Sequence, residues 1–477
     1  MLNITNENLA RFDSVVGRIM EAGQAAGLAA AVVNKQGELV FEKYYGLRDV
    51  ERDLPIDRDT IFGVASITKS FTSLAIMQLH EAGKLHINDP ISKYIPEYHN
   101  QNQPEPVRIW HLMCHSGGFY PQKRLLMETI AKELGYSQEE DGDFAFIEHL
   151  DIYGTALVAT RMAEQAHHID LPGRAMSYFN DGFALLSHII LQVSGERSFA
   201  DYIKNHICLP LGMTRSSSEF VAPAADPNAS VVYVTEHGPR SISHNLDNAF
   251  VLNGGGAMKS TVADMAKYIA MYLNYGKGTN GTRVASMGSI REMIKPRQTN
   301  GYGATYGFGL LQAQADGYSM VYHNGSLPGV SSAMVWSYEL DMGAIILCNT
   351  EDVAASPAAF ALLRLAAGQD PEIHLPHHAD HAWAPEYLAQ ICGRYESDEG
   401  AGFTILAKDG KPYVDLGKKE APLMVISDRY AIVRGAFSDV NYEVLMDETR
   451  GVYAMRQGSR IVRKIHCSPS PMHPERS

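Results

Sequence analysis

Ser66 and Lys69 stand three residues apart in the tetrapeptide Ser66-Ile67-Thr68-Lys69. A serine hydroxyl is a weak nucleophile until a base takes its proton, and an amine one helical turn away can be that base. The residues that follow predict the helix. Phe71, Leu74, Ala75 and Leu79 recur at the spacing of one buried face, and Gly83 supplies a stop. Ser66 is then expected at a helix N-terminus, where backbone N–H groups can meet a developing oxyanion. Alone the motif is weak evidence, since roughly one Ser-x-x-Lys arises by chance in a chain of this length. An ordinary N-cap serine beside a solvated lysine would look the same. Two further clusters add weight. Tyr178-Phe179-Asn180 follows Pro172-Gly173 and precedes an apolar helix through Phe183, Ala184, Leu185 and Leu186. His323-Asn324-Gly325-Ser326 ends a strand-like run and leads into Pro328-Gly329.

With these three clusters in this order, the chain resembles the serine hydrolases of the class C β-lactamase and DD-peptidase type, whose relatives include esterases and D-aminopeptidases. That family carries Ser-x-x-Lys, then Tyr-x-Asn, then Lys-Thr-Gly or His-x-Gly. Lesser stretches agree: His111-Leu112-Met113-Cys114-His115-Ser116-Gly117-Gly118, Pro210-Leu211-Gly212-Met213, Gly254-Gly255-Gly256 with Ser260-Thr261 and Asp264, and Tyr306-Gly307-Phe308-Gly309. The resemblance spans about residues 8–365. The chain departs from it at Phe179, where a serine is common, and at His115-Ser116-Gly117-Gly118, which replaces the more usual His-Thr-Ser-Gly.

The resemblance implies an acyl-enzyme on Ser66, with Lys69 and Tyr178 as the candidate bases. Either can take the serine proton, and the two can share it. A tyrosine held beside a cationic lysine is expected to shift toward phenolate. By resemblance, Tyr178 also protonates the leaving group. Asn180 is expected to orient Lys69 or to hold the substrate amide, although an asparagine here would also suit a turn or a cap. The backbone amides of Ser66 and Ser326 are expected to form the oxyanion hole, and Gly325 to let its strand approach the substrate closely.

His323 bears on the substrate class. Relatives with Lys-Thr-Gly hold a carboxylate with a permanent charge and a hydroxyl. Histidine is mostly neutral at pH 7 unless its pKa is raised, and Asn324 is an amide. The site is therefore expected to grip free carboxylates less well. That favours an amide, peptide or ester substrate over a dedicated β-lactamase. An acyltransferase would use the same acyl-enzyme, and a catalytically silent penicillin-binding or sensor protein is the alternative from another class. No cofactor and no metal ion are expected. The expected partner is a small-molecule or short peptide substrate, and the oligomeric state stays open.

The chain of 477 residues is 45% hydrophobic and 20% charged, which suits two or three globular domains. Its net charge of −13 argues against nucleic acid and against an anionic membrane surface. No stretch has the apolar length of a membrane helix. Met1-Leu2-Asn3-Ile4-Thr5-Asn6-Glu7 lacks the basic and apolar regions of a signal peptide, so the expected location is cytoplasmic unless a signal has been removed. The 5 cysteines lack metal-like spacing and read as free thiols. Cys114 beside His115 reads as a packed core thiol rather than a Cys/His nucleophile.

The elements that must position these groups suggest an α+β fold. Residues 7–22 read as an amphipathic helix, and Leu28–Val33 and Leu39–Tyr45 as a hairpin. Strand-like runs return at Ser319–His323, Ser331–Trp336 and Gly343–Cys348, followed by a helix near Pro357–Ala367. Strands from both ends are expected to meet in one antiparallel sheet flanked by helices, beside a helical subdomain. Residues 1–368 would form this catalytic domain and 369–385 a Pro/His-rich linker. His374, His377, His378, Asp380 and His381 fall in the linker and read as flexible chain rather than a metal site. Residues 386–466 carry short strands with frequent turns, expected to form a small antiparallel barrel like the lipocalin-like domain of some relatives. Residues 467–477 read as a disordered tail. Residues 120–170, with acidic Glu139, Glu140, Asp141 and Asp143, read as a solvated helix pair or, by position, as a lid.

Overall fold

The computed structural model describes residues 4–99, 103–122, 159–165, 168–219, 226–235, 240–242, 253–399, 402–417 and 419–465. The proposed lid falls largely outside these residues, including its whole acidic cluster, and the tail 467–477 falls wholly outside them.

The strands Gly27–Asn34 and Met342–Cys348 pair antiparallel, with Ala30 opposite Ile346. The two ends of the first 368 residues therefore meet at the centre of one nine-stranded sheet. Gly27–Asn34 is apolar at nearly every position because both of its faces are covered. Ala29, Ala31 and Val33 enter one core, shared with the helix Thr68–Glu81 and the helical region. Leu28, Ala30 and Val32 enter a second, under the helices Asn6–Ala22 and Ala355–Ala366. Val330–Ser337 is split the same way, with Met334 and Trp336 on one side and Ala333 and Val335 on the other. Covering both faces leaves the sheet stiff. Its strand Tyr318–Leu327 carries the His323–Ser326 cluster.

The second body is a nearly closed, nine-stranded antiparallel barrel between Gly393 and Ile465. Its two edge strands, Glu420–Pro422 and Met424–Val425, are separated in sequence by Leu423 alone. Tyr395, Phe403, Ile405, Val414, Tyr442 and Met455 fill its interior. Residues between 369 and 384 have no regular structure, yet they are tied down. Trp383 donates Nε1–H to the Ser427 carbonyl, His381 pairs with Asp428 at 2.8 Å, and His378 lies 3.6 Å from Asp439. Each of these histidines faces a barrel carboxylate.

Among the described residues, no helix is long and apolar enough to cross a membrane. Cys114, Cys208 and Cys348 are buried free thiols. Burial pushes the Cys114 thiol up to about 11, which fits the core role expected of it.

Candidate active site

Ser66 lies in the tight turn Ala65–Ile67, and the α-helix proper begins two residues later at Thr68. The helix-start expectation thus holds only approximately, because the backbone turns too sharply at Ala65. That residue has φ of 47°, a costly conformation for a side chain with a Cβ. Several bonds hold it there. Thr68 Oγ1 donates to the Ala65 carbonyl at 2.6 Å, Met258 N–H donates to Thr68 Oγ1 at 3.0 Å, and Ser332 Oγ donates to the Val64 carbonyl at 2.8 Å.

Lys69 is fully buried, with Nζ 3.1 Å from Ser66 Oγ and 2.6 Å from the Gly255 carbonyl. Its amine also lies 4.9 Å from the centre of the Tyr178 ring. Tyr178 hydrogen-bonds Ser66, so the serine hydroxyl sits between an amine and a phenol. The expected drift of Tyr178 toward phenolate does not occur in the resting site. Burial pushes its phenol well above the usual value, and the bond to Ser66 and the charge of Arg460 only partly oppose this. Asn180 opens the helix Asn180–Ser194 and lines the same cavity, of about 250 Å³. Gly255 stands between it and Lys69. A Cβ on that glycine would lie 3.5 Å from Lys69 Nζ and 3.9 Å from Asn180 Oδ1.

His323, Asn324 and Ser326 also line the cavity. Gly325 faces the other way, against the nucleophile turn. A Cβ there would stand 2.8 Å from that of Ala65 and 2.5 Å from Ser332 Oγ. From sequence, Gly325 is expected to let its strand approach the substrate closely; the close approach seen at its Cβ position is to the turn that carries Ser66.

Beneath Tyr178 runs a hydrogen-bonded chain in which each proton can be placed by its partners. Phe179 N–H donates to His115 Nδ1 at 3.0 Å, so the His115 proton is on Nε2. That nitrogen lies 3.3 Å from the Tyr306 oxygen. His323 Nδ1 lies 2.6 Å from the Asn324 carbonyl, which can only accept. His323 Nε2 is then bare and accepts the Tyr306 O–H at 2.9 Å. Both imidazoles are neutral in this arrangement. Burial and the Lys69 charge push His115 well below its usual value and His323 down to about 3. The His115 ring also packs on Tyr178, with centres 4.2 Å apart. The neutral His323 expected from sequence is thus present, and its nitrogens are already committed.

Reasoning from sequence gave no role to His115, Tyr306 or Gly255, although their motifs stood out. It predicted the barrel but gave it no residue at the site. Ser459 and Arg460, from the hairpin joining Gly451–Gln457 to Arg460–Ile465, line the cavity opposite Ser66. No local signal around Ser459 marks it as part of a site. Its place there follows from packing alone.

Comparison with known proteins gives the family and the fold. The Beta-lactamase family profile matches residues 12–368. Protein flp of Staphylococcus aureus (strain COL) is 25% identical over 348 residues, covering 72% of this chain. The chain spans only 64% of that relative's length. Penicillin-binding protein 4* of Bacillus subtilis (strain 168) is 24% identical over 446 residues, covering 89% of this chain and 91% of the relative. The solved structure of the octameric penicillin-binding protein homologue from Pyrococcus abyssi superposes with a TM-score of 0.65 at 26% identity, covering 95% of this chain and 100% of its own. SurE with D-Leu shares the fold, with a TM-score of 0.68 at 16% identity over 97% of this chain and 100% of its own.

Proposed function

We propose that this chain, which belongs to the beta-lactamase family, is a serine hydrolase that forms an acyl-enzyme on Ser66. The observation that carries the proposal is the placement of Ser66 Oγ 3.1 Å from Lys69 Nζ and in a hydrogen bond with Tyr178. A phenol held protonated by its surroundings is a proton donor, so the base for the serine is Lys69 in its uncharged form.

The steps balance as follows. Ser66 Oγ attacks the substrate carbonyl and its proton passes to Lys69. The tetrahedral oxyanion is held by the backbone N–H groups of Ser66 and Ser326. Tyr178 gives its proton to the leaving group, whose bond to carbon breaks. The resulting phenolate faces the newly charged Lys69. In the second half, Tyr178 takes a proton from water, the hydroxide attacks the acyl carbon, and Lys69 returns its proton to Ser66 Oγ. Asn180 holds the substrate amide or ester carbonyl side.

The substrate is an amide, peptide or ester that does not depend on a cation at position 323 for anchoring. The support is His323, buried, neutral and bonded to Tyr306 where some related enzymes carry a lysine. The test is intact-mass spectrometry after exposure to a fluorophosphonate, then hydrolysis of p-nitrophenyl esters, D- and L-aminoacyl anilides and nitrocefin. One adduct on the wild type and none on Ser66→Ala is expected. An adduct that survives the substitution overturns the assignment.

A further inference from the structure

The barrel reaches the site through one hairpin. Ser459 accepts the Tyr178 N–H on its carbonyl at 2.8 Å, and Ile461 N–H donates to Ser177 Oγ at 3.0 Å. Arg456, itself buried, donates to the Met176 carbonyl at 2.5 Å and pairs with Glu443. Residues 176–178 are thus strapped to the barrel at three consecutive positions. Apolar contact supports the strap, with Tyr120 and Ile169 packed against Leu445, Ala454 and Ile461.

Arg460 extends from this hairpin over Tyr178, its guanidinium 5.2 Å from the ring centre. Glu399, on the barrel just after the strand Gly393–Glu396, grips it at both ends, Nε to Oε2 at 2.5 Å and Nη2 to Oε1 at 3.2 Å. A bidentate pair of this kind fixes the plane of the guanidinium. With Nε and Nη2 engaged by Glu399, the Arg460 guanidinium is held in place over the phenol.

We propose that Arg460, fixed by Glu399, is a positioning residue for Tyr178, and that its charge steadies the phenolate left when Tyr178 protonates the leaving group. This rests on the serine hydrolase reading above. Groups facing Tyr178 from other elements are Lys69, His115 and Tyr306. Nearby in sequence, the Asp181 carboxyl is held up to about 7 by burial, with Arg161 opposing the shift and Glu399 adding to it. Arg460 and Glu399 act on the phenol with opposite signs, the cation favouring its ionised form and the carboxylate opposing it.

The two partners therefore separate electrostatics from structure. Arg460→Gln should lower the anilide-to-ester ratio of kcat about tenfold by making the phenol a poorer acid, and Glu399→Gln should raise that ratio. A purely structural ion pair would give the same sign for both, since either change breaks it. Arg460→Gln should also slow an anilide about tenfold or more while leaving a p-nitrophenyl ester nearly unaffected, because a good leaving group needs no proton. Arg460→Lys should recover most of the anilide rate. Ratios that stay fixed or shift together in the two variants, equal losses on both substrates, or a defect confined to KM overturn the proposal. Each variant is first checked for Ser66 labelling by fluorophosphonate. Failure of the wild type to label would instead overturn the serine hydrolase reading.

Discussion

Tyr306 donates its hydroxyl proton to His323 Nε2 across 2.9 Å, a bond that suits the neutral imidazole which burial and the Lys69 charge already favour. A proton bound at His323 Nε2 would require Tyr306 to turn its O–H away and accept instead, and the other nitrogen is held by the Asn324 carbonyl. The same hydroxyl oxygen faces His115, which receives the Phe179 N–H next to Tyr178. One phenol thus connects the strand that lines the substrate cavity with the backbone beside the proposed proton donor.

Removing that hydroxyl should be felt at both ends. Tyr306→Phe keeps the ring and strands two buried imidazole nitrogens. A loss of about 1–3 kcal/mol is expected in denaturant unfolding, the usual cost of an unsatisfied buried group. Acylation of Ser66 by a fluorophosphonate should slow as well. Unchanged stability would mean that the two histidines find other partners.

Acid should destabilise the fold through His323. Its folded pKa is about 3, below the ordinary 6.5, so between these values the unfolded chain binds the extra proton. Stability is then fully present above pH 6.5 and falls as pH drops toward 3. The total is on the order of 5 kcal/mol for the full shift, and His115 acts in the same direction. In His323→Gln the slope of unfolding free energy against pH over this window should flatten. Parallel slopes for mutant and wild type would count against a neutral buried His323.

Gly325→Ala should cost more in acylation than in stability. The new Cβ meets Ala65 and Ser332 around the nucleophile turn, and overpacking of this kind costs about 1–3 kcal/mol. Because the strained turn carries Ser66, the serine should shift relative to Lys69. Wild-type labelling rates in a folded Gly325→Ala protein would disprove the proposed packing role.

Cutting the chain after residue 368 tests what the barrel does for the site. The fragment keeps Ser66 and Lys69 but loses the bonds to Met176, Ser177 and Tyr178. It should unfold cooperatively, yet label far more slowly than the full chain. A fragment that labels at the full rate would show that Tyr178 holds its place without the strap.

Sequence alone singled out the candidate chemistry-bearing residues of this protein. Ser66, Lys69, Tyr178 and the His323–Ser326 cluster are short motifs, and their order, with the family resemblance it carries, gave them their expected roles. The α+β class and the barrel were legible too, since apolar periodicity survives within each element. The neutral state of His323 followed from its residue type, but its cause did not. That lies in burial and in the Lys69 charge, with Tyr306, 17 positions away in the chain and 2.9 Å away in space, as the hydrogen-bond partner. Only the tertiary structure decided that Gly325 serves the nucleophile turn and that Tyr178 rests as a phenol. It alone brought Arg460 over a ring 282 positions earlier in the chain. The physical reason is the same in each case. Burial and long-range charge depend on which surfaces meet, and no local pattern around Arg460 records that a barrel hairpin will close against residues 176–178.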